Sequence, residues 1–103
     1  MSKYRLERIN RLIQKELSDI IFENIEKSKD NFITITNVIT KPDLSSATIY
    51  ISALKDEENI LENLNKRSPY LRALLGKRVR LRKIPNLKFE KDFTQQFYEK
   101  HGL

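Results

Sequence analysis

The sequence has 103 residues, of which 39% are hydrophobic and 33% are charged, and this length fits one domain with a single modest core. Such a composition is too apolar for a disordered chain and far too polar for a membrane span, and the absence of cysteine excludes a disulfide framework and thiolate metal sites. The net charge of +6 favours a polyanionic partner, such as nucleic acid or an anionic membrane surface.

The N-terminal segment predicts a long amphipathic helix over residues 4–26. Its apolar residues recur at spacings of three, four and one, as on one face of a helix. They are Leu6, Ile9, Ile13, Leu17, Ile20 and Ile21. The helical pattern begins without a preceding apolar signal core, so we expect a cytoplasmic protein.

Three basic residues, Arg8, Arg11 and Lys15, fall opposite the apolar stripe of this helix. Their place in the N-terminal half opposes the helix macrodipole, which favours anions there. Two interpretations stay open. The residues form a solvated face whose unfavourable charges cost little, or they make a secondary contact with RNA.

Two segments rich in β-forming residues follow and predict a hairpin with one buried face. Residues 32–40, FITITNVIT, are rich in β-branched side chains. In residues 47–53, alanine and isoleucine alternate with Thr48, Tyr50 and Ser52. The turn-forming sequence KPDLSS separates the two segments.

Two helices that meet at a kink are predicted next. Asp56 is placed to cap the first, and Ser68 followed by Pro69 supplies an N-cap and a first-turn proline for the second, which covers residues 70–75. Gly76 is placed as the C-terminal stop. Because proline inside a helix removes a hydrogen bond and clashes with the preceding turn, the two helices cannot form one straight rod.

The last strand is predicted from Lys77 onward, with a break or bulge near Pro85. The residues that share one parity are Val79, Leu81, Leu87 and Phe89. The order α-β-β-α-(kink)-α-β therefore predicts one α+β domain over residues 1–93, a three-stranded sheet with helices on one face. We expect residues 94–103 to form a short C-terminal tail.

The residues that catalysis would need are sparse. The single histidine, His101, lies in the polar tail, and the two glycines, Gly76 and Gly102, exclude a Walker loop and a dinucleotide fingerprint. Glu90 and Asp92 share a face of the predicted last strand but have lysines beside them, which favours an ordinary exposed charge cluster. We therefore expect no enzyme, metal, cofactor or small-molecule substrate.

The stretch over residues 66–83 is KRSPYLRALLGKRVRLRK, which holds eight basic residues and no acidic one. On a strand, Arg78, Arg80 and Arg82 would share one face and repel one another unless an anion spanned them. Arginine binds the phosphates of a nucleic-acid backbone bidentately, so we predict an RNA-binding surface. Its residues are Lys66, Arg67, Arg72, Lys77, Arg78, Arg80, Arg82 and Lys83.

Two points stay open for this stretch. A solvated basic face that only keeps the protein soluble is the alternative to RNA binding. Tyr70 either stacks on a base or packs on the core.

The element order resembles the type II KH fold, and three strings resemble ribosome-binding factor A, a family of bacterial small-subunit maturation factors. The strings are RLERINRLIQKELSDII in the first helix, ITNVITKPDLSSATIYIS across the hairpin and YLRALLGKRVRLRKIPNLKFEKD at the end. The resemblance implies a protein that binds the immature small (30S) ribosomal subunit and its 16S rRNA. It also implies a role in late maturation, rRNA processing and growth in the cold. We expect a monomer with no membrane partner.

The sequence departs from the KH pattern at the kink. KH domains that bind single strands clamp the backbone with a Gly-x-x-Gly loop, which is absent here. The ribosome-binding family has an Ala-any-Gly kink instead, and its positions here are Arg67, Ser68 and Pro69. The missing clamp argues against a KH-like module for other single-stranded RNA, which stays open as the alternative. A protein adaptor that uses its sheet edge is a third interpretation.

Overall fold

The computed structural model describes residues 3–25 and 33–92. Within these ranges the chain forms three helices and three strands, and the predicted α+β order is confirmed. The helices and strands are α1 Lys3–Asn24, β1 Ile33–Thr40, β2 Ser46–Ala53, α2 Glu57–Lys66, α3 Ser68–Arg78 and β3 Asn86–Lys91. The predicted kink between the middle helices is also confirmed and falls at Arg67.

The three strands form one mixed sheet in the order β1-β2-β3. β1 and β2 are antiparallel, as expected for a hairpin, with a bulge between Ile35 and Asn37. β2 and β3 are parallel, and Ser46 lies opposite Asn86. Parallel neighbours need a crossover connection, which α2 and α3 together provide.

The core lies between one face of the sheet and the three helices. β2 shows the predicted alternation, because Ala47, Ile49 and Ile51 are buried whereas Thr48 and Tyr50 are only half-buried. α1 contributes Ile9, Ile13, Leu17, Ile20 and Ile21. Burial of one such isoleucine or leucine stabilises the fold by about 1.5–3 kcal/mol, so this layer fixes α1 firmly on the sheet.

The last strand begins later than predicted, at Asn86 instead of Lys77. α3 extends past Lys77, and residues 79–85 form a loop. Pairing of β3 starts where the N–H of Asn86 donates to the carbonyl of Ser45 at 3.1 Å. Pro85 comes directly before and has no N–H to donate, which explains why the strand does not extend further back.

The predicted strand face of arginines is consequently wrong. Arg78 ends α3, whereas Arg80 and Arg82 lie in the loop that follows. The guanidinium of Arg72 donates to the carbonyl of Ile84 from Nε at 3.0 Å and from Nη2 at 2.7 Å. This pair of hydrogen bonds holds the loop against α3 and keeps it out of the sheet.

Two predicted helix-end signals also act differently. Gly76 does not stop α3, which continues for two further residues, and a Cβ there would lie in ordinary contact with Ile84, 3.5 Å from its Cγ1. Asp56 occupies the N-cap of α2 as predicted, but its backbone is left-handed (φ 52°) and its side chain makes no capping hydrogen bond. The carboxylate of Glu57 instead turns back and accepts from the N–H of Ala53 at 3.1 Å.

Asn65 and Ser68 lie on either side of the kink and both bind β3. Ser68, the predicted N-cap, is instead the first residue of α3. Its hydroxyl donates to the carbonyl of Leu87 at 2.6 Å and does not cap the helix. The amide of Asn65 donates to the carbonyl of Phe89 at 3.0 Å and accepts from the N–H of Phe89 at 2.8 Å. The kink is therefore fixed to the outer edge of β3.

Side-chain amides of α1 bind the other outer strand. Asn10 Oδ1 accepts from the N–H of Thr40 at 3.0 Å, and Gln14 Nε2 donates to the carbonyl of Ile35 at 2.9 Å. These two residues are four apart and so lie on one face of the helix. α1 is thus attached to β1 by polar contacts as well as by its apolar stripe.

The turn between β1 and β2 is held by local hydrogen bonds. Asp43 Oδ1 accepts from the N–H of Ser45 at 3.0 Å and from its hydroxyl at 2.7 Å, and these bonds, together with the charges of Lys83 and Lys41, lower the pKa of Asp43. Leu44 has φ 61°, a left-handed conformation that is rare for a residue with a Cβ. Its side chain is nevertheless buried, so the turn directs it into the core.

Some predicted features lie outside the described residues. They are His101, the tail over residues 94–103, and the predicted helix end and strand start at Glu26 and Phe32. In the described ranges, no helix is long and apolar enough to cross a membrane.

Replacing Asn65 by Ala should destabilise the protein by about 2 kcal/mol, because both backbone groups of the buried Phe89 would lose their partner. Urea unfolding of the parent and the variant measures this. The control is Asn63→Ala on the exposed side of the same helix, which should change the free energy of unfolding by less than about 0.5 kcal/mol. Equal stability of the two variants would contradict the role of Asn65.

Replacing Asp43 by Asn should lower stability at about pH 7 and have little effect at about pH 2.5. Because folding lowers the pKa of Asp43, its carboxylate contributes stability above the unfolded pKa, and this contribution is lost as the pH falls through the folded pKa. Denaturant unfolding of both proteins at both pH values measures the difference. A difference of the same size at low pH would show that the ionised carboxylate is not its cause.

Candidate nucleic-acid interface

Three segments meet in one open pocket at the end of the sheet: the N-terminal half of α1, the β1–β2 turn and the loop over residues 79–85. The pocket has a volume of about 650 Å³. We name it the arginine pocket after Arg5, Arg8, Arg11, Arg80 and Arg82, which line it. Its apolar lining is Ile9, Leu12, Leu44 and Leu81.

Local structure explains why these arginines converge. Arg5, Arg8 and Arg11 recur every three residues and so lie one above the other along the same side of α1. Arg80 and Arg82 are exposed on the loop facing α1, whereas the residue between them is half-buried. The pocket is therefore bordered by charged side chains from two segments far apart in sequence.

The floor of the pocket is apolar. Leu44 and Ile9 belong to the hydrophobic core, with 1% and 8% of their surface exposed. Leu81 is half-buried, and Leu12 on α1 has 36% of its surface exposed, although it is a large hydrophobic residue. The pocket thus combines a rim that attracts anions with a floor that favours an apolar surface.

Four of the five rim arginines have no ion-pair partner in the part of the chain that the structure describes. No acidic residue lines the pocket, and Arg8, Arg11, Arg80 and Arg82 make no ion pair with any residue in the described ranges. The first turn of α1 also carries no acidic residue, so the positive end of the helix dipole adds to the same field. The arrangement attracts anions and offers them several guanidinium groups at once.

The structure thus brings together residues from two separate predicted sets. Arg80 and Arg82 come from the main predicted RNA-binding surface, and Arg8 and Arg11 come from the predicted secondary contact. Lys15 lies further along α1, exposed and outside the pocket. Two residues from each predicted set therefore share one pocket, whereas the other predicted residues, Lys15 among them, lie outside it.

Two of the predicted contact residues have partners inside the protein. The guanidinium of Arg72 is occupied by the carbonyl of Ile84. Arg78 pairs with Glu23 at 2.6 Å and with Glu16 at 3.7 Å, which ties the end of α3 to α1. The charge of Arg78 is thus partly compensated, and both arginines serve the fold.

The kink carries a second, separate basic surface. Lys66 is exposed, and the guanidinium of Arg67 lies 5.2 Å from the centre of the Tyr70 ring. Tyr70 is 46% exposed and therefore does not pack in the core. Its hydroxyl lies 3.5 Å from Asn24 Oδ1, which places the kink beside the C-terminal end of α1.

The distance between the two basic surfaces follows from the helix. Arg8 and Asn24 are sixteen residues apart on α1, which corresponds to about 24 Å along the axis. The remaining predicted residues lie outside both surfaces: Lys77 is exposed near the end of α3, and Lys83 is exposed on the loop, where its charge helps to lower the pKa of Asp43. The basic residues of the 66–83 stretch, predicted to form one RNA-binding surface, are therefore divided between the kink, the arginine pocket and positions outside both.

Sequence reasoning missed Arg5 and the apolar floor of the pocket. The spacing of Arg5 from Arg8 and Arg11 is a signal that could have identified it. The floor residues Leu12 and Leu44 carried no such signal, because only the tertiary structure brings the β1–β2 turn beside α1. Among the described residues there is no group of three or more acidic or histidine side chains that could hold a metal ion.

Comparison with known structures places this geometry in context. A crystal structure of ribosome-binding factor A from Thermus thermophilus is 26% identical, and the match covers 84% of this chain and 94% of that one, with a TM-score of 0.76. A solution NMR structure of a Thermotoga maritima protein, a candidate ribosome-binding factor A, is 28% identical over 89% of this chain and 91% of that one, with a TM-score of 0.73.

A third similar structure comes from a complex. It is a homology model of the Thermus thermophilus factor fitted into a cryo-EM map of that protein with the 30S subunit, and it is 28% identical over 80% of this chain and 89% of that one, with a TM-score of 0.67. The family model of ribosome-binding factor A matches residues 5–100. Since this match spans nearly the whole sequence, the chain belongs to the ribosome-binding factor A family.

Proposed function

We propose that this protein is an assembly factor that binds the immature small ribosomal subunit through its 16S rRNA. It acts as a cytoplasmic monomer, occupies its site without covalent chemistry, and assists late maturation and rRNA processing, including during growth in the cold. Membership of the ribosome-binding factor A family supports this function. The Thermus thermophilus relative fitted into a map of a 30S complex supports the choice of partner.

The observation that carries the proposal is that several arginines of the arginine pocket have no ion-pair partner among the described residues. Arg8 and Arg11 on α1 and Arg80 on the loop have no acidic partner among the described residues. Like charges at helix spacing repel, so the isolated protein gains nothing from this arrangement. A nucleic-acid backbone relieves the repulsion, since its phosphates repeat and arginine binds them bidentately.

The alternative is a KH-like module for single-stranded RNA of any origin. The kink of such a module would clamp the backbone with glycines, whereas this chain has Arg67, Ser68 and Pro69 there, and Ser68 is bonded to β3. Sedimentation of a cell extract at low salt separates the two functions. The assembly factor travels with small subunits and not with full ribosomes, whereas the general module is found with RNA of many sizes.

Replacing Arg80 or Arg82 by Ala should lower the slope of log affinity against log salt by about one in each variant, because each change removes one phosphate contact. Affinity for purified immature small subunits over a series of salt concentrations measures the slope. The control is Lys88→Ala on β3, which removes one exposed charge that is paired with Glu90 at 3.5 Å. An unchanged slope in both arginine variants would remove the loop from the interface.

Replacing Arg67 by Ala tests whether the kink also contacts RNA. The variant should lose at most about 1 kcal/mol of stability, the value of an exposed contact between a cation and an aromatic ring. We expect it to weaken subunit binding and to lower the salt slope by about one. Thermal unfolding and co-sedimentation measure the two effects. If the variant binds like the parent at physiological salt, the kink is only a structural joint and the interface is confined to the pocket.

A further inference from the structure

The apolar floor of the arginine pocket is more than a phosphate-binding surface requires. Arginines on a convex helix face are sufficient to contact a backbone, yet here they surround a concavity of about 650 Å³. This volume lies within the range of small-ligand pockets, about 300–1,000 Å³. The partly exposed Leu12 and half-buried Leu81 offer the occupant an apolar contact surface.

We propose that the arginine pocket holds one unpaired nucleotide of the bound RNA. Its base lies on the floor formed by Leu12, Leu44 and Leu81, and the phosphates on either side of it contact the arginine rim. Because the pocket is the surface that the proposed function assigns to RNA, this inference rests on that function and names the element of RNA that the surface recognises.

The chemistry of the lining favours a nucleotide over other anions. A base has two flat faces that bury well against aliphatic side chains and guanidinium planes, while its phosphates need charged donors. A free phosphate would leave the floor unused, and a paired base cannot reach it, because stacking within a duplex hides its faces. An unpaired nucleotide presents a free base face and its phosphates together.

The strained backbone at Leu44 in the β1–β2 turn is a second observation that supports an apolar contact surface in the pocket. Leu44 adopts φ 61°, and a left-handed backbone at such a residue costs of order 1–3 kcal/mol. The hydrogen bonds of Asp43 and Lys41 within the turn hold this conformation. A glycine would adopt this backbone conformation without cost, but the chain has a leucine, whose side chain lines the pocket between α1 and the loop.

The test uses two RNA duplexes with identical numbers of phosphates. One carries a single bulged adenosine, and the other carries an abasic residue at the same bulge. The full-length protein should bind the bulged adenosine about tenfold more tightly, because burial of one base against the apolar floor is lost in the abasic duplex. Equal affinity of the parent protein for the two duplexes overturns the inference without any variant.

Variants then locate the base. Leu12→Gln should reduce the tenfold preference to less than about threefold while leaving the salt slope unchanged, because it alters the floor and not the rim. The matched control is Leu54→Gln, the same change at an exposed leucine beyond the opposite end of β2, which should keep the full preference. If Leu12→Gln and Leu54→Gln keep the same preference for the bulged adenosine, the assignment of the base to this pocket is overturned. Thermal unfolding checks that both variants remain folded.

The outcome is separable from that of the proposed function. If the parent co-sediments with small subunits but shows no preference for the bulged base, the assembly function stands and the pocket only binds phosphates. If the preference is present but no small subunit is bound, the pocket is a nucleotide site and the proposed function fails.

Discussion

The fold depends on the contacts that fix the kink between α2 and α3, the two helices that connect the parallel strands β2 and β3. Because β2 and β3 are parallel, a long crossover must join them, and here that helical crossover bends with no glycine at the kink. The amide of Asn65 binds both backbone groups of Phe89 just before the bend, and Ser68 binds the same strand just after it. The direction of α3 is thereby fixed. α3 in turn carries Arg72, whose bonds to the Ile84 carbonyl set the path of the loop that brings arginines to the pocket.

Positive charge in this protein divides into charge that serves the fold and charge left for a partner. Arg78 shows the first kind, since it forms ion pairs with two glutamates of α1, and these ion pairs tie α1 to α3. Arg8 and Arg80 show the second kind, since neither has an ion-pair partner among the described residues. Each exposed contact between like charges destabilises the fold by only about 0.2–0.5 kcal/mol, so the fold tolerates several such contacts. Contacts with phosphates are stronger than this cost, because they are charge-assisted and release counterions.

The sequence was sufficient to predict the elements whose pattern is local. The apolar stripe of α1, the alternation of β2 and the proline at the kink were each interpreted correctly. The start of β3 was not, because Val79 and Leu81 alternate with arginines as a strand would, while α3 continues through Gly76 and the loop is held by a side chain from within the helix. For the site, the residue types were predicted but not their grouping, since the contact between α1 and the 79–85 loop is tertiary.

The contacts at the sheet edges also limit which surface a partner can use. An adaptor that adds a strand to a sheet needs unpaired backbone groups at an edge. At β3 the carbonyl of Leu87 and both groups of Phe89 are bound by Ser68 and Asn65, and at β1 side chains of α1 bind the backbone near both ends of the strand. Strand addition would have to break these bonds. The exposed guanidinium groups of the arginine pocket need no such rearrangement, so an anionic partner meets the lower barrier.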